Sequence, residues 1–307
     1  MKVAVIGPGS LGTLYGGLLA DAGHEVWLCH YRDAYVEAVE RDGVRIESDI
    51  LDRSVVEADV RATTDASEAG HVDLAFVLVK AHQTRDALAR HEGCIGPDTT
   101  VLSLQNGLLN ERILSDIVGP ERVLTGITYQ GGDRGDPGRV EHTYTGETRF
   151  GGEDMDAARE IAGVLSEAGI PDVEAVADYR RRIWEKQIGG VSVKPLAALT
   201  RLTCGGMVAD DERVDLMRDL MREAEAVADA HGIEVDVDYD ADVIDPLVDS
   251  PHRSSILQDV LAERKTEIDH INGAIVELAD EVDVDVPRNE TVTALVRGLE
   301  ASYLDEE

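Results

Sequence analysis

The residues of this chain that could do chemistry begin with three glycines. Gly7-Pro8-Gly9-Ser10-Leu11-Gly12 follows the apolar run Val3-Ala4-Val5-Ile6 and leads into a helical pattern over 13–22. In a Gly-x-Gly-x-x-Gly turn between strand and helix, Gly7 makes the tight turn and Gly9 lets a pyrophosphate reach the backbone. Gly12 lets the helix pack on the strand. The helix N-terminus adds unpaired N–H groups and a partial positive charge. These residues predict a dinucleotide site, with Pro8, Ser10 and Leu11 part of the same loop.

Other candidates lie at strand ends. Lys80 closes Phe76-Val77-Leu78-Val79, and Asn106 follows Val101-Leu102-Ser103-Leu104-Gln105. Ligands of open α/β sheets bind beyond the carboxyl ends of the strands, so both residues point at the dinucleotide edge. The alternatives are a solvated charge at 80 and a plain Asn-Gly turn at 106. The second strand ends Cys29-His30-Tyr31-Arg32 without the acid that usually holds an NAD ribose. Arg32 could grip a 2′-phosphate instead, with Asp33 one residue further on. Arg180-Arg181-Arg182-Ile183-Trp184-Glu185-Lys186 concentrates basic charge, either for function or as a solvated face. None of the nine histidines shows a metal-ligand spacing, and no G-x-S-x-G elbow is present, so neither a metal site nor a hydrolase is expected.

The elements that must position these groups alternate through the first half. Apolar strands at 2–6, 25–29, 74–79, 100–104 and 123–128 are separated by helical patterns at 35–41, 83–90 and 110–118. This alternation predicts a doubly wound parallel sheet. Short strands at 139–144 and 148–150 read as an antiparallel extension at its edge, followed by a helix at 155–168 and a last strand at 173–176. After about residue 178 strands vanish. Val214, Met217, Leu220, Met221, Ala224 and Val227 keep helical spacing, as do Leu257, Val260, Leu261, Ile268, Ile271, Ile275 and Leu278. The expectation is a dinucleotide-binding Rossmann-type α/β domain over 1–177 and an all-helical catalytic domain over 178–307. The acidic stretch 234–249 reads as a surface connection ahead of a long helix.

Composition sets the outer bounds. Twenty-nine Lys and Arg stand against 62 Asp and Glu, a net charge of −33, which argues against nucleic-acid or anionic-membrane partners. Acids spread through patterned elements suit a salt-rich cytoplasm, where self-repulsion is screened, and point to a halophilic source. Three unpatterned cysteines suit a reducing cytosol, and no apolar run approaches a membrane span.

Further motifs carry a family resemblance. Val79-Lys80-Ala81-His82-Gln83, Gln105-Asn106-Gly107, Trp184-Glu185-Lys186, Ser254-Ser255-Ile256-Leu257-Gln258-Asp259 and Lys265-Thr266-Glu267-Ile268-Asp269-His270-Ile271-Asn272-Gly273 occur in order after the glycine loop. Together they resemble the ketopantoate reductase family over nearly the whole chain. The resemblance implies NADPH-dependent reduction (NADH being possible) of ketopantoate to (R)-pantoate for pantothenate and coenzyme A biosynthesis. It also implies a cytoplasmic enzyme, possibly a homodimer, whose active site lies in a cleft between domains. By the same resemblance Lys186 is the general acid, with Arg180 to Arg182 and burial lowering its pKa. Lys80 and Asn106 sit at the cofactor edge, Asn106 also near the substrate; Ser255 holds the substrate carboxylate, and Glu267 is the essential glutamate.

Twelve residues of unbroken helix would span roughly 18 Å. Ser255 is therefore expected on the substrate and Glu267 nearer the cofactor ribose or Lys186. Three family asparagines are replaced by Gly190, Lys194 and His252, which makes Lys194 and His252 candidate substrate contacts. The rival readings are a reductase of another 2-keto acid and a catalytically silent dinucleotide-binding sensor.

Overall fold

A computed structural model describes residues 1–304, apart from the side chain of Arg134. The chain forms two compact units, one made of Met1–Gln105 with Asn110–Tyr179, the other of Asn106–Leu109 with the chain from Arg180 on.

The strands of the first unit are β1 (Lys2–Ile6), β2 (Glu25–Cys29), β3 (Val44–Ser48), β4 (Val55–Ala58), β5 (Arg61–Thr63), β6 (Leu74–Val77), β7 (Thr100–Ser103), β8 (Val123–Thr128), β9 (Gly131–Arg134), β10 (Arg139–Tyr144), β11 (Thr148–Gly152) and β12 (Val173–Ala175). Its helices are α1 (Ser10–Asp21), α2 (Asp33–Asp42), α3 (Thr84–Arg90), α4 (Asn110–Val118) and α5 (Met155–Glu167). The main sheet runs β12-β11-β8-β7-β6-β1-β2-β5. It is parallel except where β11 pairs antiparallel with β8. Val3, Ala4, Val5 and Ile6 are all fully buried, as a strand covered on both faces requires. β1 lies between β6 and β2, so the strand order reverses there, and the crevice beyond its carboxyl end is the natural ligand position.

A second sheet, β4-β3-β10-β9, corrects the expected edge extension: β10 pairs parallel with β3 and antiparallel with β9, and only β11 extends the main sheet. Helix α1 packs against both sheets. A Cβ on Gly16 would meet Leu28 at 2.8 Å, and one on Gly17 would meet Val44 at 2.8 Å. Tyr15, fully buried on the same helix, bonds the hydroxyls of Thr128 (2.9 Å) and Thr148 (3.1 Å).

The second unit is helical: α6 (Tyr179–Thr200), α7 (Cys204–Val208), α8 (Asp211–Ala230), α9 (Ser255–Leu261), α10 (Asn272–Val282) and α11 (Pro287–Glu300). Met217, Leu220, Met221, Ala224, Ile271 and Ile275 are fully buried in its core. Pro195 lies inside α6 and cannot donate to the carbonyl four residues back, that of Val191. Asn272 Nδ2 takes that carbonyl instead, at 2.9 Å, and also donates to Asn289 Oδ1 at 3.0 Å. One buried amide pair thus offsets the proline and ties α6, α10 and α11 together.

The long helix expected after Pro251 is a correction. Helix α9 has only seven residues. Glu263 takes a left-handed backbone (φ +50°), and the Arg264 guanidinium turns back onto buried Asp259 at 3.0 Å. A short 3-10 turn, Ile268–His270, precedes α10. The 18 Å separation of Ser255 from Glu267 falls with the unbroken helix it assumed. The acidic stretch 234–249 is also more ordered than a plain connection, holding a π-helical turn at Tyr239–Ile244 with Ile244 buried.

Candidate active site

In the first unit the glycine loop has the shape of a phosphate cradle. Gly7 has φ +91°, and a Cβ there would lie 2.4 Å from Val79 Cγ1, so only glycine fits. A Cβ on Gly12 would lie 2.7 Å from the Gly7 carbonyl, which keeps α1 close to the loop. Around Gly9 a Cβ would meet nothing within 4 Å, so the backbone there is open to a ligand. The Thr13 hydroxyl donates to the Pro8 carbonyl at 3.4 Å, bracing the loop from the first turn of α1. No side chain caps α1 and no acid sits in its first turn, leaving the positive end of the helix dipole for an anion. The loop from Gly7 through Pro8, Gly9, Ser10 and Leu11 to Gly12 therefore fits a dinucleotide pyrophosphate.

Arg32 is exposed just past β2, with its guanidinium 4.9 Å from the Tyr31 ring centre. Its backbone N–H donates to His30 Nδ1 at 3.0 Å, fixing the turn into α2. Lys80, partly buried, follows β6 and opens a 3-10 turn. Gln105 holds this edge in a way sequence reasoning missed. Its Nε2 donates to the Val79 carbonyl (2.7 Å) and to Thr84 Oγ1 (2.9 Å), while its Oε1 accepts from Ser103 Oγ (2.8 Å). One amide thus joins the ends of β6 and β7; its place one residue before Asn106 was the available signal. Asn106 itself packs with the second unit. Gly107 has φ +107°, and a Cβ there would lie 2.7 Å from the His270 carbonyl, so the Asn-Gly turn seats against the segment that carries Glu267.

In the second unit Lys186, Gly190 and Lys194 recur every four residues on one face of α6. Burial and then the Lys194 charge pull the Lys186 ammonium down to about 7, while the Glu267 carboxylate pulls it back up. Burial acts as expected, but the expected arginines are not the cationic source. Lys194 supplies the cationic pressure, and two of the arginines are engaged with Glu185: Arg181 Nε at 3.7 Å and Arg182 Nη1 at 3.5 Å. Glu267 is only 4% exposed and also opposes the burial that lowers His270.

The two serines divide their work. Ser254 Oγ accepts from the Leu257 N–H, capping α9, and donates to the Lys194 carbonyl at 3.2 Å. Ser255 Oγ, buried, has no hydrogen-bond partner among the described residues, nor do Gln187 Nε2 and His270 Nδ1. Buried polar atoms are rarely left unpaired, so a bound molecule that reaches these three would satisfy them. His252 is exposed and held by its backbone, its carbonyl accepting from the Cys204 N–H at 2.8 Å.

A phosphate cradle on a doubly wound sheet, with a near-neutral lysine beside a buried glutamate in a helical unit, defines a nucleotide-dependent oxidoreductase. The family models "Ketopantoate reductase PanE/ApbA" and its C-terminal counterpart match residues 3–154 and 178–300. A 2-dehydropantoate 2-reductase of Halobacterium salinarum is 33% identical over 97% of this chain and 98% of its own length. Among solved structures, a PanE/ApbA family ketopantoate reductase from Ralstonia eutropha superposes with a TM-score of 0.89 at 34% identity, covering 99% of both chains. A D-mandelate dehydrogenase in complex with NADH and anilino(oxo)acetate gives 0.88 at 27% identity, again over 99% of both. The chain belongs to the ketopantoate reductase family.

Proposed function

We propose that the protein is a 2-dehydropantoate 2-reductase, reducing ketopantoate to (R)-pantoate with NADPH. The observation that carries the reading is Lys186, a partly buried lysine brought near neutrality in a chain that this family's models match over residues 3–154 and 178–300. The glycine loop, Lys80 and Arg32 would hold the dinucleotide, Arg32 taking the 2′-phosphate. NADPH, when bound, supplies a hydride to the ketone carbon. Lys186 Nζ carries the proton that the ketone oxygen must gain, and a pKa near 7 lets it give that proton up and regain it from solvent. Glu267 would favour the protonated form of Lys186. Ser255 Oγ and Asn106 hold the substrate, while Lys194 and His252 stand where the family carries amides.

Those exchanges favour one second reading, a reductase of another 2-keto acid. The similarity to a D-mandelate dehydrogenase with a bound oxo acid supports it, and the NADH in that complex keeps NADH open as a cofactor. NADPH and NADH oxidation measured against a panel of 2-keto acids tests both. A kcat/KM for ketopantoate with NADPH above every other pair supports the first reading, and a different preferred acid supports the second. Dinucleotide binding with no turnover on any acid would leave only a sensor. We further infer a cytoplasmic, homodimeric enzyme of a halophile, with no nucleic-acid or membrane partner. The net charge of −33 and the Halobacterium relative support the halophilic origin. Among the described residues no helix is long and apolar enough to cross a membrane.

A further inference from the structure

Gly190 and Lys194 are in contact. A Cβ built on Gly190 would come within 3.1 Å of Lys194 Nζ, 3.4 Å of its Cε and 3.7 Å of its Cδ. The lysine therefore lies back along α6 toward the N-terminus, the direction long helical side chains take. Its ammonium rests beside a residue four positions earlier, only about 6 Å along the axis from the Lys186 Cα. The same charge reaches the Cys204 thiol on α7, favouring its ionised form against burial. Lys194 is thus drawn in over the glycine, with its backbone carbonyl held by Ser254, the neighbour of the unpaired Ser255 hydroxyl.

We propose that Gly190 and Lys194 form one specificity element: the glycine is the berth for the Lys194 ammonium, which receives the carboxylate of the 2-keto acid and leaves Lys186 to the ketone oxygen. The inference rests on the keto-acid reductase reading above. In a 2-keto acid the carboxylate and the ketone occupy adjacent carbons, so two cations about one turn apart match the two groups. The pairing also links substrate to proton. Among the charged groups facing this pair are Lys186 and Lys194 on α6, Glu267 ahead of the 3-10 turn, His270, which also faces Asp269, Lys265 and Glu277, and Cys204 facing Lys194. A carboxylate neutralising Lys194 relieves its repulsion of Lys186, so Lys186 binds its proton more firmly once the acid to be reduced is in place.

The test uses Lys194→Met, Lys194→Arg and Gly190→Asn in the full-length protein, each checked for its melting temperature and NADPH affinity. With the best acid of the wild-type panel, Lys194→Met should raise KM about tenfold or more, equivalent to ~1.4 kcal/mol. Lys194→Arg should recover most of that loss. Gly190→Asn, which keeps the charge but fills its berth, should raise KM in the same direction. Independently of turnover, carbon-13 NMR of the reductively methylated protein, with the Lys186 signal assigned by Lys186→Arg, should show Lys186 titrating about half a pH unit or more higher in Lys194→Met. A KM within twofold of wild type in Lys194→Met, or an unmoved Lys186 titration, overturns the proposal. Failure of the reductase reading would show separately, as a wild type inactive on every acid.

Discussion

Replacing Lys186 by methionine should remove activity and raise stability together, and the second effect can be sized. The Lys186 ammonium falls from its ordinary 10.5 to about 7 in the fold. At 1.36 kcal/mol per pH unit that difference sets a ceiling of roughly 5 kcal/mol on the cost of housing a protonated lysine there. Lys186 is only partly buried by area, so water screens part of this cost and about half is expected, ~2 kcal/mol. The sign follows from proton counts. The folded pKa lies below the unfolded one, so between about 7 and 10.5 the unfolded chain binds more protons and wild-type stability rises with pH. Below about 7 the full penalty applies, and above 10.5 none remains. Methionine carries no such penalty, but it leaves the buried Glu267 carboxylate without the lysine, so ~2 kcal/mol is the upper bound of the gain. In thermal unfolding the variant should therefore melt up to ~3 °C above wild type at pH 6 to 7, with the gap closing toward pH 10.5. In the same samples kcat should fall about 10²-fold or more. Wild-type kcat/KM should decline as pH rises through about 7, when the acid of the free enzyme loses its proton. A variant less stable than wild type at pH 7, or a gap indifferent to pH, would refute the reasoning, because the Glu267 carboxylate would then outweigh the burial of the lysine.

Three further outcomes test separate parts of the molecule. Arg32→Ala should weaken NADPH by roughly 1.5–3 kcal/mol, the scale of a hydrogen bond to a charged group, and leave NADH almost unchanged; equal losses in direct binding titrations would remove Arg32 from the phosphate. Ser254→Ala should cost about 1 kcal/mol of stability through the lost α9 cap. Ser255→Ala should leave the melting temperature nearly unchanged and raise KM, and the reverse pattern would exchange the roles of the two serines. With a net charge of −33, the melting temperature should climb steeply from dilute buffer to molar KCl, and a flat response would leave the acidic surface without its salt explanation.

The main sheet was legible because parallel strands buried on both faces read as continuous apolar runs, and β1, β2 and β8 lie where those runs lie. The second sheet was not. In β3 only alternate residues, Val44, Ile46 and Ser48, are buried, while Arg45 points outward to Glu47 (2.9 Å) and Glu57 (2.5 Å). Among so many acids and arginines, a short strand of that kind has the composition of a loop. What makes it a strand is α1, whose Gly16 and Gly17 admit a sheet on each side, and that is a tertiary fact no local window contains.

The same distinction runs through the site. The glycine loop depends on local backbone conformation, so its residues could be named with their tasks from sequence. The Ser255–Glu267 stretch depends on a contact instead. Leu257, Val260, Leu261, Ile268 and Ile271 fit one helical stripe, yet Leu261 is 46% exposed and the helix ends there. The ending is enforced by Asp259, buried to 2% exposure, which draws Arg264 back across the turn and leaves Glu263 in a left-handed conformation. A buried carboxylate favours a cation within reach, so the arginine at 264 and the break go together. The break in turn frees Glu267 from the register of α9 and lets it enter the core with Lys186. Spacing alone put Glu267 three turns down a rod from Ser255; one ion pair, invisible to periodicity, decides that the rod does not exist.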